Sequence, residues 1–277
     1  MLNTKQIILI AGVIVLMVIL YLQPLKSLVK EEDAATVAET SVIEDNYTLE
    51  NVSEIAKQGL NASLKKDITD LEASIAEAPE EEKLPLFKQL AEKWHDVNKS
   101  IPQAFVLEEI ANKESTFENW LMTGDAFSEA YSNLQDTVMV PILTQRAIHA
   151  YEVALGLEEN NLQAKTGLGS AYVTGPNPMQ GITMLLEVVE EDPKNNKANF
   201  NLGLFSMQSR QFDKAVDRFK TVIEQNPSAE AWFYLATSYE NIGLKNEAIN
   251  AYEESKQLAA DPSLSQFIDR KIEELSN

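Results

Sequence analysis

Residues 201–227, NLGLFSMQSRQFDKAVDRFKTVIEQNP, hold two amphipathic stretches separated at Ser209-Arg210-Gln211 and stopped by Asn226-Pro227. Neither stretch can bury its apolar face alone, so each requires a neighbour. The neighbours are found by self-similarity. Leu168, Gly169, Tyr172, Gly181, Leu185, Val188 and Pro193 match Leu202, Gly203, Ser206, Ala215, Phe219, Val222 and Pro227, every member at a constant offset of 34. Trp232, Leu235, Ala236, Tyr239, Ala248, Tyr252 and Ser255 continue the register after a step of 33. Upstream, Trp120, Gly124 and Phe127 match the first half of the unit, and Ala147, Tyr151 and Ala154 match the second half after an insertion around Tyr131 to Pro141. A more degenerate copy precedes it, with Leu90, Ala91, Trp94, Ala104 and Ala111.

A unit of this length with the order W-x2-L-G-x2-Y, A-x3-F-x2-A, P resembles the tetratricopeptide repeat. The resemblance covers residues 84–262, divided as 84–116 (degenerate), 117–161 (with the insertion), 162–195, 196–228 and 229–262. It departs from the pattern at Thr123, Glu159, Ser206 and Ser255. It implies an all-α fold, a right-handed α-solenoid of helix pairs, whose concave face is lined by the first helix of each pair and holds peptides or partner helices. Elementary packing agrees: small Gly203 and Ala215 allow two helices to approach, Phe219 fills the space toward the next unit, and Pro227 stops the second helix. Residues 263–277, with Leu264, Phe267, Ile268 and Ile272 on one side, are predicted to form the capping helix that closes a solenoid.

The rest of the chain reads differently. Ile7 to Leu22 is an uncharged apolar run, and as a helix it spans about 24 Å. The following QPLKSLVK lacks the alternating small residues of a cleavage site, so residues 1–25 are expected to be an uncleaved transmembrane anchor. Residues 26–47 read as a flexible acidic linker. In 48–83, Val52, Ile55, Leu60, Leu64, Ile68, Leu71 and Ile75 predict an amphipathic helix. It has too few heptads for a coiled coil and carries Gly59, so it is expected to pack on the repeats.

Composition narrows the function. With 43 acidic against 23 basic residues, the formal charge of −20 repels phosphate backbones, and nucleic acid is not an expected partner. No cysteine is present, which removes thiolate chemistry and disulfides. His95 and His149 fall in different repeats, and no HExxH, GxSxG, Walker or dinucleotide motif occurs. Gly167-Leu168-Gly169 lies inside a predicted helix, so both glycines are read as packing residues. The runs Glu31-Glu32-Asp33 and Glu80-Glu81-Glu82 lack spaced ligands and a turn glycine, and are read as solvated charge. No catalytic site, cofactor or metal is expected.

What remains is binding. Projection of the first helices places Thr166, Phe200, Leu204, Met207, Phe233 and Thr237 on the concave face with an apolar centre, unless the N-terminal helix or the insertion covers it. The basic clamp that some tetratricopeptide proteins use is missing, since Lys197 stands nearly alone. The expected function is a membrane-anchored scaffold or assembly chaperone that binds another protein or peptide in this groove. A self-associating structural envelope protein, a homo-oligomer, is the alternative. Weak charge asymmetry around the apolar run, together with its very short N-terminal tail, suggests a bacterial inner-membrane protein whose repeats face the periplasm.

Overall fold

Why does the duplicated pattern fold as it does? Each unit alternates an apolar stripe with a sharp break, and the breaks have a common geometry. After α9 (Asn196–Gln208) the chain reverses through Arg210 at φ 57°, and Gln211 N–H reaches back to the Ser206 carbonyl at 2.7 Å. One unit further on, Gly243 at φ 81° makes the same turn, with Leu244 N–H bonded to the Tyr239 carbonyl at 3.0 Å. Asn98 at φ 55° repeats it a third time, with Lys99 N–H on the Trp94 carbonyl at 3.0 Å. A left-handed residue, followed by an N–H that bonds back to a carbonyl in the last turn, ends the first helix and turns the chain directly into the second.

The computed structural model describes residues 47–132, 134 and 136–276. These form thirteen helices: α1 (Leu49–Lys57), α2 (Ala62–Glu77), α3 (Glu80–Asp96), α4 (Ser100–Lys113), α5 (Phe117–Ser132), α6 (Met139–Leu157), α7 (Leu162–Thr174), α8 (Pro178–Glu191), α9, α10 (Phe212–Gln225), α11 (Ala229–Asn241), α12 (Lys245–Leu258) and α13 (Pro262–Ser276). Each helix packs against the next from α2 onward. The first helices of successive pairs, α5, α7, α9 and α11, also touch one another, whereas each second helix lies against its own partner and the first helix of the following pair. The described residues therefore make an all-α solenoid with an inner layer of first helices and an outer layer of second helices.

The crossings are as close as the small residues suggested. A Cβ at Gly203 would lie 2.8 Å from the Phe219 ring, and one at Gly181 would lie 2.4 Å from the Gly169 carbonyl oxygen. The core repeats with the units: Tyr151, Leu185, Phe219 and Tyr252 occupy matching places in four pairs and are all buried.

The N-terminal helix differs from the expectation. It is two helices broken at Gln58–Asn61, not one, because Asn61 caps α2 by accepting from Leu64 N–H at 3.0 Å. The fold-back also satisfies Lys57, which is 3% exposed and ion-paired at 2.6 Å to both Glu54 and Glu72. Ile55, predicted to join the buried stripe, is 59% exposed, while Val52, Ile68 and Ile75 are buried. α1 packs on α4 and α2 on α3, at the far end of the array from α9 and α11, so these helices do not cover the expected groove.

Among the described residues no helix is long and apolar enough to cross a membrane. The run Ile7–Leu22 and the linker as far as Asn46 lie outside the described residues. The insertion lengthens α5 and α6 around a connection in which Asp136 accepts from Val138 and Met139 N–H groups at 2.8 and 2.9 Å. The Glu80–Glu82 run forms the first turn of α3, where acidic side chains complement the helix dipole, and Glu80 pairs with Lys83 and Lys113.

Candidate interaction groove

The inner face is built by residues on α7, α9 and α11, and by a contribution from α13 that the sequence reading did not assign. Phe200, Leu204 and Met207 recur at spacings of four and three along α9, so they share one side of it. All three are partly exposed and rest on a core of Ala215, Phe219, Leu235, Tyr252 and Ile268. Phe200 meets the rings of Phe219 and Tyr234 edge-on, each at 5.8 Å between centroids. Phe233 on α11 is also partly exposed and sits 5.7 Å from Tyr252 and 5.9 Å from Phe267.

Phe267 is 39% exposed and belongs to α13, read from sequence only as a cap. It follows Phe233 at an offset of 34, as Phe233 follows Phe200 at an offset of 33, and that register was the signal that could have found it. Three phenylalanines thus occupy one position of three successive inner helices, a partly exposed aromatic strip extended by Leu204 and Met207.

One expected residue, Thr166, is buried instead, and Thr237 is held by hydrogen bonds. Thr166 is 2% exposed and its hydroxyl donates to the Leu162 carbonyl at 2.6 Å, so it does not line the surface. Next to it the helices are closely spaced: Tyr151 is fully buried between α5 and α7, close enough that a Cβ at Gly124 or Gly167 would stand 2.7 or 2.3 Å from it. Thr237 is partly exposed but polar, its hydroxyl donating to the Phe233 carbonyl at 3.0 Å and lying 3.3 Å from the Tyr252 hydroxyl.

The strip is flanked by two similar polar clusters. Tyr252 donates to Glu240 Oε2 at 2.8 Å, and Lys271 Nζ lies 2.9 Å from Glu240 Oε1. Tyr151 donates to Asp125 Oδ1 at 2.7 Å, and Lys197 Nζ lies 3.5 Å from the same oxygen. In each, a tyrosine from an outer helix reaches between inner helices to a carboxylate that also holds a lysine. Burial, with the adjoining carboxylate adding to it, pushes both phenols well above their ordinary value, so they remain neutral donors. Lys197, the basic residue expected in the groove, is the lysine of the second cluster. His95 and His149 are exposed on α3 and α6, the latter edge-on to Trp120 at 5.7 Å. The arrangement offers contact area with fixed polar edges.

These features define a helix-repeat solenoid with an apolar inner strip. Residues 206–264 match the tetratricopeptide repeat family. A 124-residue stretch is 29% identical to anaphase-promoting complex subunit 3 of Dictyostelium discoideum, covering 44% of this chain and 13% of that protein. The chain thus spans a small fraction of that relative. Among solved structures, a thermophilic TPR protein of Thermus thermophilus superposes with a TM-score of 0.52 at 15% identity, over 68% of this chain and 97% of that one. The crystal structure of MamA protein gives 0.46 at 18% identity, over 63% and 90%. The first of these two likenesses shows the fold.

Proposed function

We propose that the chain is a protein-interaction scaffold, held at a membrane by residues 1–25, that binds an amphipathic helix or extended peptide of another protein along Phe200, Leu204, Met207, Phe233 and Phe267. The observation that carries this reading is the recurrence of a partly exposed phenylalanine at one position of three successive inner helices. Core rings are normally enclosed on all sides, and a contiguous exposed apolar strip on a repeat array is the usual form of a peptide groove. The membrane part rests on the Ile7–Leu22 run alone. Because Asp125 and Glu240 already hold lysines, apolar contact supplies the affinity and charge contributes mainly at the edges.

A photo-reactive phenylalanine analogue at position 207, in the full chain in cells, tests the groove. An adduct with another protein is expected, and Leu204→Asp should abolish it, because a central anchor typically carries about 2 kcal/mol or more of binding energy. A control at Ile55, exposed on α1 at the far end of the array, should give no such adduct. Adducts only between copies of this chain would replace the scaffold by a self-associating protein, and no adduct from position 207 would remove the groove reading. The placement of the repeats in the periplasm is tested separately. A cysteine replacing Ser263 is unique in this cysteine-free chain and should react with an impermeant maleimide in intact spheroplasts. Labelling only after lysis would reverse the orientation.

A further inference from the structure

The outer layer carries a cleft of about 300 Å³ between α8 and α10, floored by α9. One wall is apolar, with Ile182, Leu186, Leu202 and Phe205, and Leu186 is 43% exposed. The other is polar and contains Lys214 and Arg218. Behind Arg218 stands Asn199, at the position where the following repeat has Trp232. This side chain is held in place by the backbone around it. Asn199 is 1% exposed, and its amide nitrogen donates to the Pro193 and Asn195 carbonyls at 3.0 and 2.8 Å. Its oxygen is thereby turned to Arg218, whose Nη1 donates to it at 2.9 Å.

Arg218 is partly buried, and among the described residues no carboxylate lies within ion-pair distance of it. A guanidinium has five donors, and the structure gives this one a single neutral acceptor. Its burial is only partly compensated: desolvation holds its pKa below the ordinary arginine value, and the charge of Asp217 opposes this without cancelling it. A chain of net charge −20 that leaves a desolvated guanidinium unpaired beside an exposed apolar wall has a local site for the opposite charge.

We propose that this cleft is a second docking site, which takes a glutamate or aspartate side chain of a partner protein on Arg218 with an aliphatic or aromatic side chain of the same segment against Leu186 and Phe205. A single carboxylate suits the site. The acidic surface repels polyanions, and because Asp217 lines the cleft together with Lys214 and Arg218, its charged groups leave one net positive charge for a single carboxylate to meet. Lys214 is already engaged by Gln211 Oε1 at 2.7 Å and borders the cleft without closing it.

The test titrates the full chain with acetylated, amidated pentapeptides carrying one glutamate beside a leucine, followed by the Leu186 methyl and Arg218 side-chain NMR signals. Saturable shifts at both are expected. Replacing the peptide glutamate by glutamine should weaken binding at least about fivefold, as should Arg218→Gln, because each leaves one partner of a charged hydrogen bond unmet. Leu186→Ala, at an exposed position that keeps the fold, should weaken it too, while Met207→Ala in the inner groove leaves it unchanged. Equal binding of the glutamate and glutamine peptides would overturn the proposal. So would shifts centred on Phe233, or binding only by peptides with a free terminal carboxylate.

Discussion

Replacing Gly167 by alanine puts the close inner-helix spacing to the test. The Tyr151 ring is fully buried between α5 and α7, and a Cβ at Gly167 would stand 2.3 Å from Cε1 and 2.4 Å from Cζ. Two effects oppose each other. Alanine in a helix interior is favoured over glycine by about 1 kcal/mol, whereas overpacking a filled core costs about 1–3 kcal/mol. The ring has little room to retreat, since it also lies so near the Gly124 backbone that a Cβ there would stand 2.7 Å from it, and the hydroxyl is held by Asp125 at 2.7 Å and Ser128 at 3.2 Å. Overpacking therefore acts at the top of its range and wins. The net loss is about 2 kcal/mol, which lowers Tm by about 4–8 °C for a domain of this size. Thermal unfolding followed by far-ultraviolet circular dichroism reads it. Gly156→Ala is the control: nothing lies within 4 Å of its Cβ position, so it should stabilise, by up to about 1 kcal/mol. Tyr151→Leu costs stability by itself, yet in its presence the Gly167→Ala change should become neutral or favourable, a coupling that only contacting residues show. A Gly167→Ala chain that melts at or above the wild-type temperature would refute the account of how α5 and α7 are spaced.

Ile268 on α13 is completely buried, and Ile268→Ala should cost about 2–5 kcal/mol in urea unfolding; a loss under about 1 kcal/mol would mean that α13 is not integral to the core. Arg210 adopts a left-handed conformation that strains a residue with a Cβ, so Arg210→Gly should raise stability by about 0.5–1 kcal/mol in the same assay, and any decrease would contradict the turn geometry. Burial raises the Glu108 carboxyl above its ordinary value although Arg146 pulls it down. The folded chain then holds this proton more tightly than the unfolded chain, so the contribution is largest in acid and is lost as pH rises from the ordinary carboxylate range through the raised value. Glu108→Gln should flatten the Tm–pH profile across that mildly acidic window, and an unchanged slope would dispose of the assignment. Phe200→Ala should lower both stability and partner capture, because the ring packs on Phe219 and Tyr234, whereas Met207→Ala should lower capture with a smaller effect on the melt.

Much of the fold is legible in the sequence because the repeat restates the same local physics several times. Gly203 with Phe219, and Gly169 with Leu185, are each a small residue facing a large one at a fixed offset, and spacing alone identifies them. Pro193 and Pro227 mark the ends of second helices in the same way. The apolar strip was legible to the same degree, since Phe200, Leu204, Met207 and Phe233 follow from helical periodicity and register. Periodicity tells which side of a helix a residue occupies. It does not tell how far the next helix stands away.

That distance is a property of the tertiary structure, and it decided the remaining points. Thr166 shares its register position with Phe200 and Phe233, yet it is buried, next to the place where Tyr151 fits against Gly124 and Gly167 between closely spaced α5 and α7. Phe267 joins the strip because α13 packs beyond α12 as a further inner helix, although its own polar sequence reads as a cap. The break at Gln58–Asn61, capped by Asn61, brings buried Lys57 on α1 against Glu72 on α2, a pairing that no periodic pattern records. Arg218 is left without a carboxylate because Asn199, from a different helix, takes its place. What each segment presents at short range is written in its own residues; contacts between segments depend on the summed packing of all of them, and only the folded chain evaluates that sum.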